Sequence, residues 1–254
     1  MMTLTDLDRW LSEFLGLAAL EGVDPSRNGL QVARRAPEMR KIAFAVDACM
    51  ESFRRAAEWG ADMLFVHHGL FWEEPLRITG TLYERIRFLV EHDMALYGVH
   101  IPLDMHPEVG NNIGIARLLG LVSITPFGAW KGFTIGFKGT LPSAMSVDQL
   151  ASVLAGPQAG QVRTLPFGPA EVRTVGVISG GAPWEVVQAT AEGLDCYITG
   201  EPAHGIYHHC LEARINGMFA GHYHTESFGV RQLAGRLRQD TGLETTYLDV
   251  PTGL

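Results

Sequence analysis

The strongest chemical signal in the chain comes from the adjacent pair His67 and His68, the carboxylate Asp104, and the pair His222 and Glu226. Imidazole and carboxylate donors without a thiolate suit a borderline or hard divalent ion such as zinc, manganese, iron, cobalt or nickel. Together these residues are enough for two ions if one carboxylate bridges them. His222 and Glu226 stand at i and i+4, which on a helix brings both side chains to one face, about 5–6 Å apart at Cβ. Plainer readings stand beside these: adjacent histidines also occur as structural residues, and Asp104 would serve equally as a helix cap. His100 and His224 neighbour the five residues and are candidates for orienting a ligand or accepting a proton from a substrate. His92 and His106 are expected to face solvent, and His204, His208 and His209 to lie in a surface loop-helix segment.

Successive residues of a strand point to opposite faces, so His67 and His68 converge only where a strand finishes. The apolar run Met63 to Val66 supplies that strand. Ahead of it, Ile42 to Val46 reads as a strand and Met50 to Trp59 as a helix stopped by Gly60, a βαβ pattern that predicts a parallel pair. A helix over Leu82 to His92 then leads to the strand Ala95 to Val99, which runs into His100-Ile-Pro-Leu-Asp104. This order recurs. IAFAVDACMESFRRAAEWGADMLFVHH aligns without a gap on VGVISGGAPWEVVQATAEGLDCYITGE, placing Ile42 on Val175, Gly60 on Gly193 and Asp62 on Asp195. Later in each copy a histidine is followed four positions on by a carboxylate, and the offset from His100 and Asp104 to His222 and Glu226 is 122 at both members. Such spacing is what a duplication leaves, and duplicated lobes commonly carry a site on their mutual axis. Between the copies, residues 123 to 172 contain alternating stretches such as GFTIGFKG and a helix over Val147 to Leu154, read as a strand-rich opening of the second lobe. SGGAP, from Ser179, reads as a tight turn, with a weaker reading as a phosphate cradle.

Composition bounds the rest. With 254 residues, 46% of them hydrophobic and 19% charged, the chain has material for a sizeable buried core. A formal net charge of -8 argues against a general grip on phosphate backbones and disfavours nucleic acid as an obligate partner. The cysteines Cys49, Cys196 and Cys210 are too few and too irregular for a disulfide framework or a thiolate zinc site, which predicts a reducing, cytoplasmic setting. MMTLTDLDRWLSEFL fits an amphipathic helix and not a signal peptide, and no uncharged apolar run reaches the roughly 18 residues of a membrane span.

HHGLFW, HIPLDMHPEVGNN, ITGEPAHG and GHYHTE, in this order and with NGLQV near the N-terminus, resemble the NIF-three-like dinuclear metal-centre family, whose members are often labelled GTP cyclohydrolase I type 2 homologues. The resemblance covers nearly the whole chain. It implies an α/β (α+β) fold of two interlocked, quasi-repeated lobes with mixed β-sheets flanked by helices. The first lobe is drawn as residues 1–125 with 222–254 returning to it, the second as 126–221. The resemblance also implies a two-metal site with His67, His68, Asp104, His222 and Glu226 as ligands, Glu226 as the bridge, and a toroidal homohexamer. His100 matches a recurrent family position. His224 departs from the pattern, since a small residue is common there, and an added ligand or an altered substrate fit would follow. The short 123–172 segment leaves no room for the large inserted domain of some relatives.

Metal-assisted hydrolysis is the implied reaction, of a small molecule, with two ions about 3.5–4 Å apart activating water. The family label points to opening of a purine ring in GTP, with His100 or His224 moving protons, although amide or phosphoester hydrolysis would use the same metal pair. The alternative is a non-enzymatic metal-binding or regulatory ring protein, which predicts a closed coordination sphere where an enzyme keeps an open position.

Overall fold

A computed structural model of the chain describes residues 2–73, 76–155 and 162–254, and these divide into two compact units, one of residues 1–103 and 230–250, the other of residues 104–229 and 251–254. Met1 and residues 156–161, which fall in stretches read above, lie outside the described residues.

The first unit opens with the short β1 (Met2–Thr3) and α1 (Leu4–Phe14). A capping box starts this helix, with Thr3 Oγ1 accepting from the Asp6 N–H at 3.2 Å, and its apolar period buries Leu7 and Leu11. There follow β2 (Gly29–Val32), β3 (Glu38–Met39), β4 (Lys41–Asp47), α2 (Met50–Trp59), β5 (Met63–His68), α3 (Gly80–Glu91) and β6 (Ala95–Gly98). Gly60, left-handed at φ +77°, ends α2 because only glycine takes that conformation without a Cβ penalty. β4, β5 and β6 are parallel neighbours, and β2 closes one edge antiparallel to β6. Strands covered on both faces need near-continuous apolar runs, and these have them. Ala43, Ala45, Leu64, Val66 and Leu96 pack with Phe53 and Ala56 of α2 and Leu89 of α3. The rings of Phe44, Phe65 and Tyr97 follow one another across successive strands, the first pair tilted at 5.2 Å and the second stacked at 5.8 Å. Each large side chain so buried contributes about 1.5–3 kcal/mol. The division between the units falls inside the short α4 (Ile101–Met105), after Leu103.

The second unit contains α5 (Asn111–Leu118), β7 (Val122–Trp130), β8 (Phe133–Met145), α6 (Val147–Ala155), β9 (Arg163–Pro166), β10 (Val172–Val177), α7 (Val186–Ala191), β11 (Cys196–Thr199), α8 (Tyr207–Ala213) and β12 (Asn216–Phe219). Its sheet runs β7-β8-β10-β11-β12-β9, with β10, β11 and β12 parallel and the other pairings antiparallel. Val122 pairs with Thr140 of β8, so β7 belongs to this unit from its first residue, and the unit itself begins at Asp104. Lys131 and Gly132, both at positive φ, make the two-residue turn between β7 and β8. Val175, Val177, Ile198 and Met218 pack with Ile115, Leu150 and Leu154 in the core.

α9 (His222–Thr241) begins in the second unit and finishes in the first, where β13 (Glu244–Tyr247) pairs parallel with β4. The fold is therefore mixed α/β, and the β4-α2-β5 unit recurs as β10-α7-β11 with a left-handed glycine, Gly193, at the place of Gly60. No helix among the described residues is long and apolar enough to cross a membrane.

Candidate functional site

In the first unit β5 ends on His67 and His68, and β6 delivers His100 two residues past its own end. Each of these three imidazoles turns Nδ1 to an acceptor. His67, fully buried, donates to the Val99 carbonyl at 2.9 Å. His68 donates to Oδ1 of Asp47 at 2.8 Å, its partner in the β4–β5 register. His100 donates to Oδ1 of Asp24 at 2.9 Å. An acceptor on Nδ1 fixes the N–H there and makes Nε2 the nitrogen the ring offers to an ion. The three rings lie 4.7–5.8 Å apart by centroid, and each offers a ligand atom within 4.8 Å of the others.

Asp24 does more than orient His100. Its oxygens also accept from Asn28 Nδ2 and the N–H groups of Ser26 and Ile101, all at 2.8–3.0 Å, while Asn28 Oδ1 accepts from the His100 N–H. Burial works to raise the Asp24 carboxyl, but the hydrogen bonds from His100, Asn28 and Ser26 outweigh it and hold the group below the usual carboxylate range.

In the second unit the chain leaves β12, passes through Gly221 at φ +92°, and enters α9 at His222. One helical turn on, Glu226 Oε2 lies 3.0 Å from His222 Nε2, and His222 Nδ1 lies 2.7 Å from Glu201 Oε1 just past β11. Glu226 is buried. Asp104, also buried, takes Ser179 Oγ and Asn111 Nδ2 on Oδ1, each at 2.8 Å, and it and Glu226 offer oxygens within 4.8 Å of one another. The turn after β10 presses against this group. Gly180 sits at φ +65°, its N–H on Thr225 Oγ1 at 3.0 Å, and a Cβ there would come within 2.2 Å of Glu226 Oε1. SGGAP is thus a tight turn whose first glycine makes room for a carboxylate.

His224 stands apart from the other predicted residues. Two positions from His222 on α9, it sets Nε2 2.9 Å from the Leu154 carbonyl and its ring edge-on to Phe228. His92 is exposed, as expected. His106 is not, because it lies buried with Nδ1 accepting the N–H groups of Glu108 and Val109 at 3.2 Å, a local turn that the following proline favours. His204 and His208 are exposed, and His209 is half-buried with Nε2 3.1 Å from Thr190 Oγ1.

Sequence reasoning singled out none of the orienting carboxylates, Asp24, Asp47 and Glu201. A signal existed for one of them, since Glu201 is the residue that the internal alignment sets against His68. The thiols of Cys196 and Cys210 are buried, and burial pushes both up, away from the thiolate a soft metal needs.

An α/β protein with buried imidazole and carboxylate groups that could hold a metal ion is the class this arrangement defines. Residues 2–252 match the family described as Duf34/NIF3 (NGG1p interacting factor 3), and the chain belongs to that family. It is 46% identical, over 98% of its own length and 94% of the relative's, to a GTP cyclohydrolase 1 type 2 homolog of Deinococcus radiodurans. Among solved structures it is similar to TTHA1606 from Thermus thermophilus, at 38% identity and a TM-score of 0.88, with both chains covered in full. The protein ybgI, described as of unknown function, superposes with a TM-score of 0.91 at 34% identity, again over the full length of both chains.

Proposed function

We propose that the chain binds two divalent ions through His67, His68, Asp104, His222 and Glu226, with Glu226 shared between them, and hydrolyses a small molecule there. One observation carries this reading: His222 lies between two carboxylates, Glu201 at 2.7 Å from Nδ1 and Glu226 at 3.0 Å from Nε2. Held neutral, as a metal ligand must be, this imidazole has one N–H and its second nitrogen presents a lone pair to a carboxylate oxygen, whereas protonated it would donate to both. A divalent cation bound by His222 and Glu226 would satisfy both acceptors. The same polarity, Nδ1 held and Nε2 offered, is repeated at His67, His68 and His100. It is the arrangement in which a carboxylate or carbonyl behind a histidine sets the tautomer for a metal in front.

When bound, divalent ions supply Lewis-acid activation of water and of the bond to be cleaved. The protein supplies the rest. Asp24 holds His100 with Nε2 outward, which suits that ring to accept and return a proton. The names of the relatives suggest a purine triphosphate as substrate, and amide or phosphoester bonds fit the same donors. A homohexameric, cytoplasmic protein completes the proposal, and a hexameric mass by light scattering would support the assembly.

The experiment that tests this measures metal content per chain of protein purified without chelator, for the parent, His68→Ala and Glu226→Gln, followed by a hydrolysis screen. Close to two equivalents in the parent with loss in both variants is the expected result; a parent that binds no divalent ion even after supplementation overturns the reading. The burial of His67 and Asp104 also suits a closed, non-enzymatic metal site. Two ions with no hydrolysis of nucleotide, amide or phosphoester substrates would select that alternative.

A further inference from the structure

Beside the histidines of the first unit lies a cavity of ≈ 460 Å³ that the metal reading does not use, bordered by Arg27, Asn28, Gln31, Phe71, Trp72 and Glu73 among others. Its size falls in the range of small-molecule sites, about 300–1,000 Å³. Trp72 ties it to the chemistry. The indole lies 5.1 Å from the His100 ring, edge to face, and 6.3 Å from the His68 ring.

The walls are built, not incidental. Ser26 and Trp72 form an isolated antiparallel bridge, and the Arg27 N–H donates to the Phe71 carbonyl at 3.0 Å, so Arg27 and Trp72 are held on facing backbones. The indole N–H is occupied by the Gly69 carbonyl at 3.3 Å, which leaves Trp72 its aromatic surface to present. The neutral amides are spoken for. Asn28 bridges Asp24 and the His100 N–H, while Gln31 donates to the Arg27 carbonyl and accepts from the Leu70 N–H. Gln31 can lie there because Gly69 and Gly98 have no side chains, a Cβ on either falling within 2.8 Å of the amide.

Arg27 is the exception. Its guanidinium donates to the main-chain carbonyl of the exposed Glu73 at 3.3 Å, and among the described residues no carboxylate pairs with it. An exposed cation beside a fixed aromatic surface recognises a particular shape: a planar ring that stacks, carrying an anionic group that the guanidinium takes in a fork.

We propose that this cavity is a binding site for a planar heteroaromatic anion, with the ring on Trp72 and the anionic group on Arg27. It rests on the metal-dependent reading for its purpose, since a ligand so held lies against His68 and His100, but its occupancy can be measured without any metal. A nucleotide phosphate and an aromatic carboxylate share the required chemistry.

Calorimetric titrations of the whole protein, before and after chelator treatment, with adenosine monophosphate, adenosine, nicotinate and inorganic phosphate test it, with metal content measured on the same samples. Saturable binding of adenosine monophosphate or nicotinate that survives metal removal is expected, and the one that binds identifies the anion source. Arg27→Ala should weaken that anion at least tenfold, about 1.4 kcal/mol, with adenosine affinity and metal content unchanged. Trp72→Leu should weaken adenosine and adenosine monophosphate together. Equal affinity for the anion in parent and Arg27→Ala, or binding that disappears with the metal and is matched by inorganic phosphate, overturns the proposal. Loss of the metal reading alone, with ring binding intact in the chelator-treated protein, leaves this site standing.

Discussion

Asp62 and Asp195, 133 positions apart, play the same structural role, since each sets Oδ2 against two consecutive main-chain N–H groups at the start of the preceding strand, Arg40 and Lys41 at 2.7 and 2.9 Å, Arg173 and Thr174 both at 2.9 Å. Each aspartate follows the glycine that ends its helix by two residues, so one carboxylate closes each βαβ turn. Asp62 has a further partner in Arg34.

This gives a prediction for stability. Burial works to raise the Asp62 carboxyl, but hydrogen bonds from the Lys41 N–H, Arg34 and the Arg40 N–H prevail and hold it below the ordinary range. A depressed carboxylate contributes stability that is present above the unfolded value of about 3.9 and lost as pH falls through the folded value. Asp62→Asn should therefore lower the urea midpoint of the metal-free protein at pH 7, by an amount equivalent to about 1–3 kcal/mol. The gap from the parent should narrow as pH falls below about 3.9 and close once it has passed the lower folded value. Equal midpoints at neutral pH would show that the carboxylate charge contributes nothing.

The two aspartates also mark what the sequence could disclose. The βαβ repeat was legible because its signals are local: an apolar run, a helix, a glycine, a second apolar run, all within 27 residues. The metal-ligand candidates were legible because His67 and His68 are neighbours and His222 and Glu226 are one turn apart. Their orienting partners were not, since Asp47 is 21 residues from His68 and Asp24 is 76 from His100, and only strand register or loop packing brings such pairs together. His106 misled for the opposite reason, because a turn of two residues beyond it buries the ring, and no periodic pattern announces a turn.

Those orienting carboxylates should matter to metal affinity without being ligands. Asp47→Asn and Glu201→Gln keep the shape of each side chain but weaken the pull on His68 and His222. Each should loosen divalent-ion binding about 10–100-fold, measured by competition with a chromophoric chelator, while far-UV circular dichroism stays that of the parent. Parent affinity in both variants would mean that the rings are held in place by packing alone.

His224 offers a contrasting case. With Nε2 on the Leu154 carbonyl and its ring against Phe228, it fastens α9 to α6 and is turned from the Glu226 side of its helix. His224→Ala should leave metal content and any hydrolytic kcat unchanged and cost about 1 kcal/mol in a denaturant melt. A fall in kcat at full metal occupancy would restore the proton-carrying role that its position in the sequence suggested.

Gly180 is the sharpest test of the carboxylate group, because it has a matched control. Both Gly180 and Gly193 sit in the left-handed region, at φ +65° and +68°, so an alanine at either carries a backbone penalty of about 1–2 kcal/mol. They differ in what the added methyl meets. At Gly193 nothing lies within 4 Å, whereas at Gly180 the Cβ falls 2.2 Å from Glu226 Oε1 and 3.4 Å from His222 Nε2. A contact that short forces the carboxylate away from its place beside His222. Gly193→Ala should therefore lower stability with metal affinity unaltered, and Gly180→Ala should lower both. Similar metal affinity in the two variants would show that Glu226 tolerates displacement, and its assignment as the shared ligand would have to be given up.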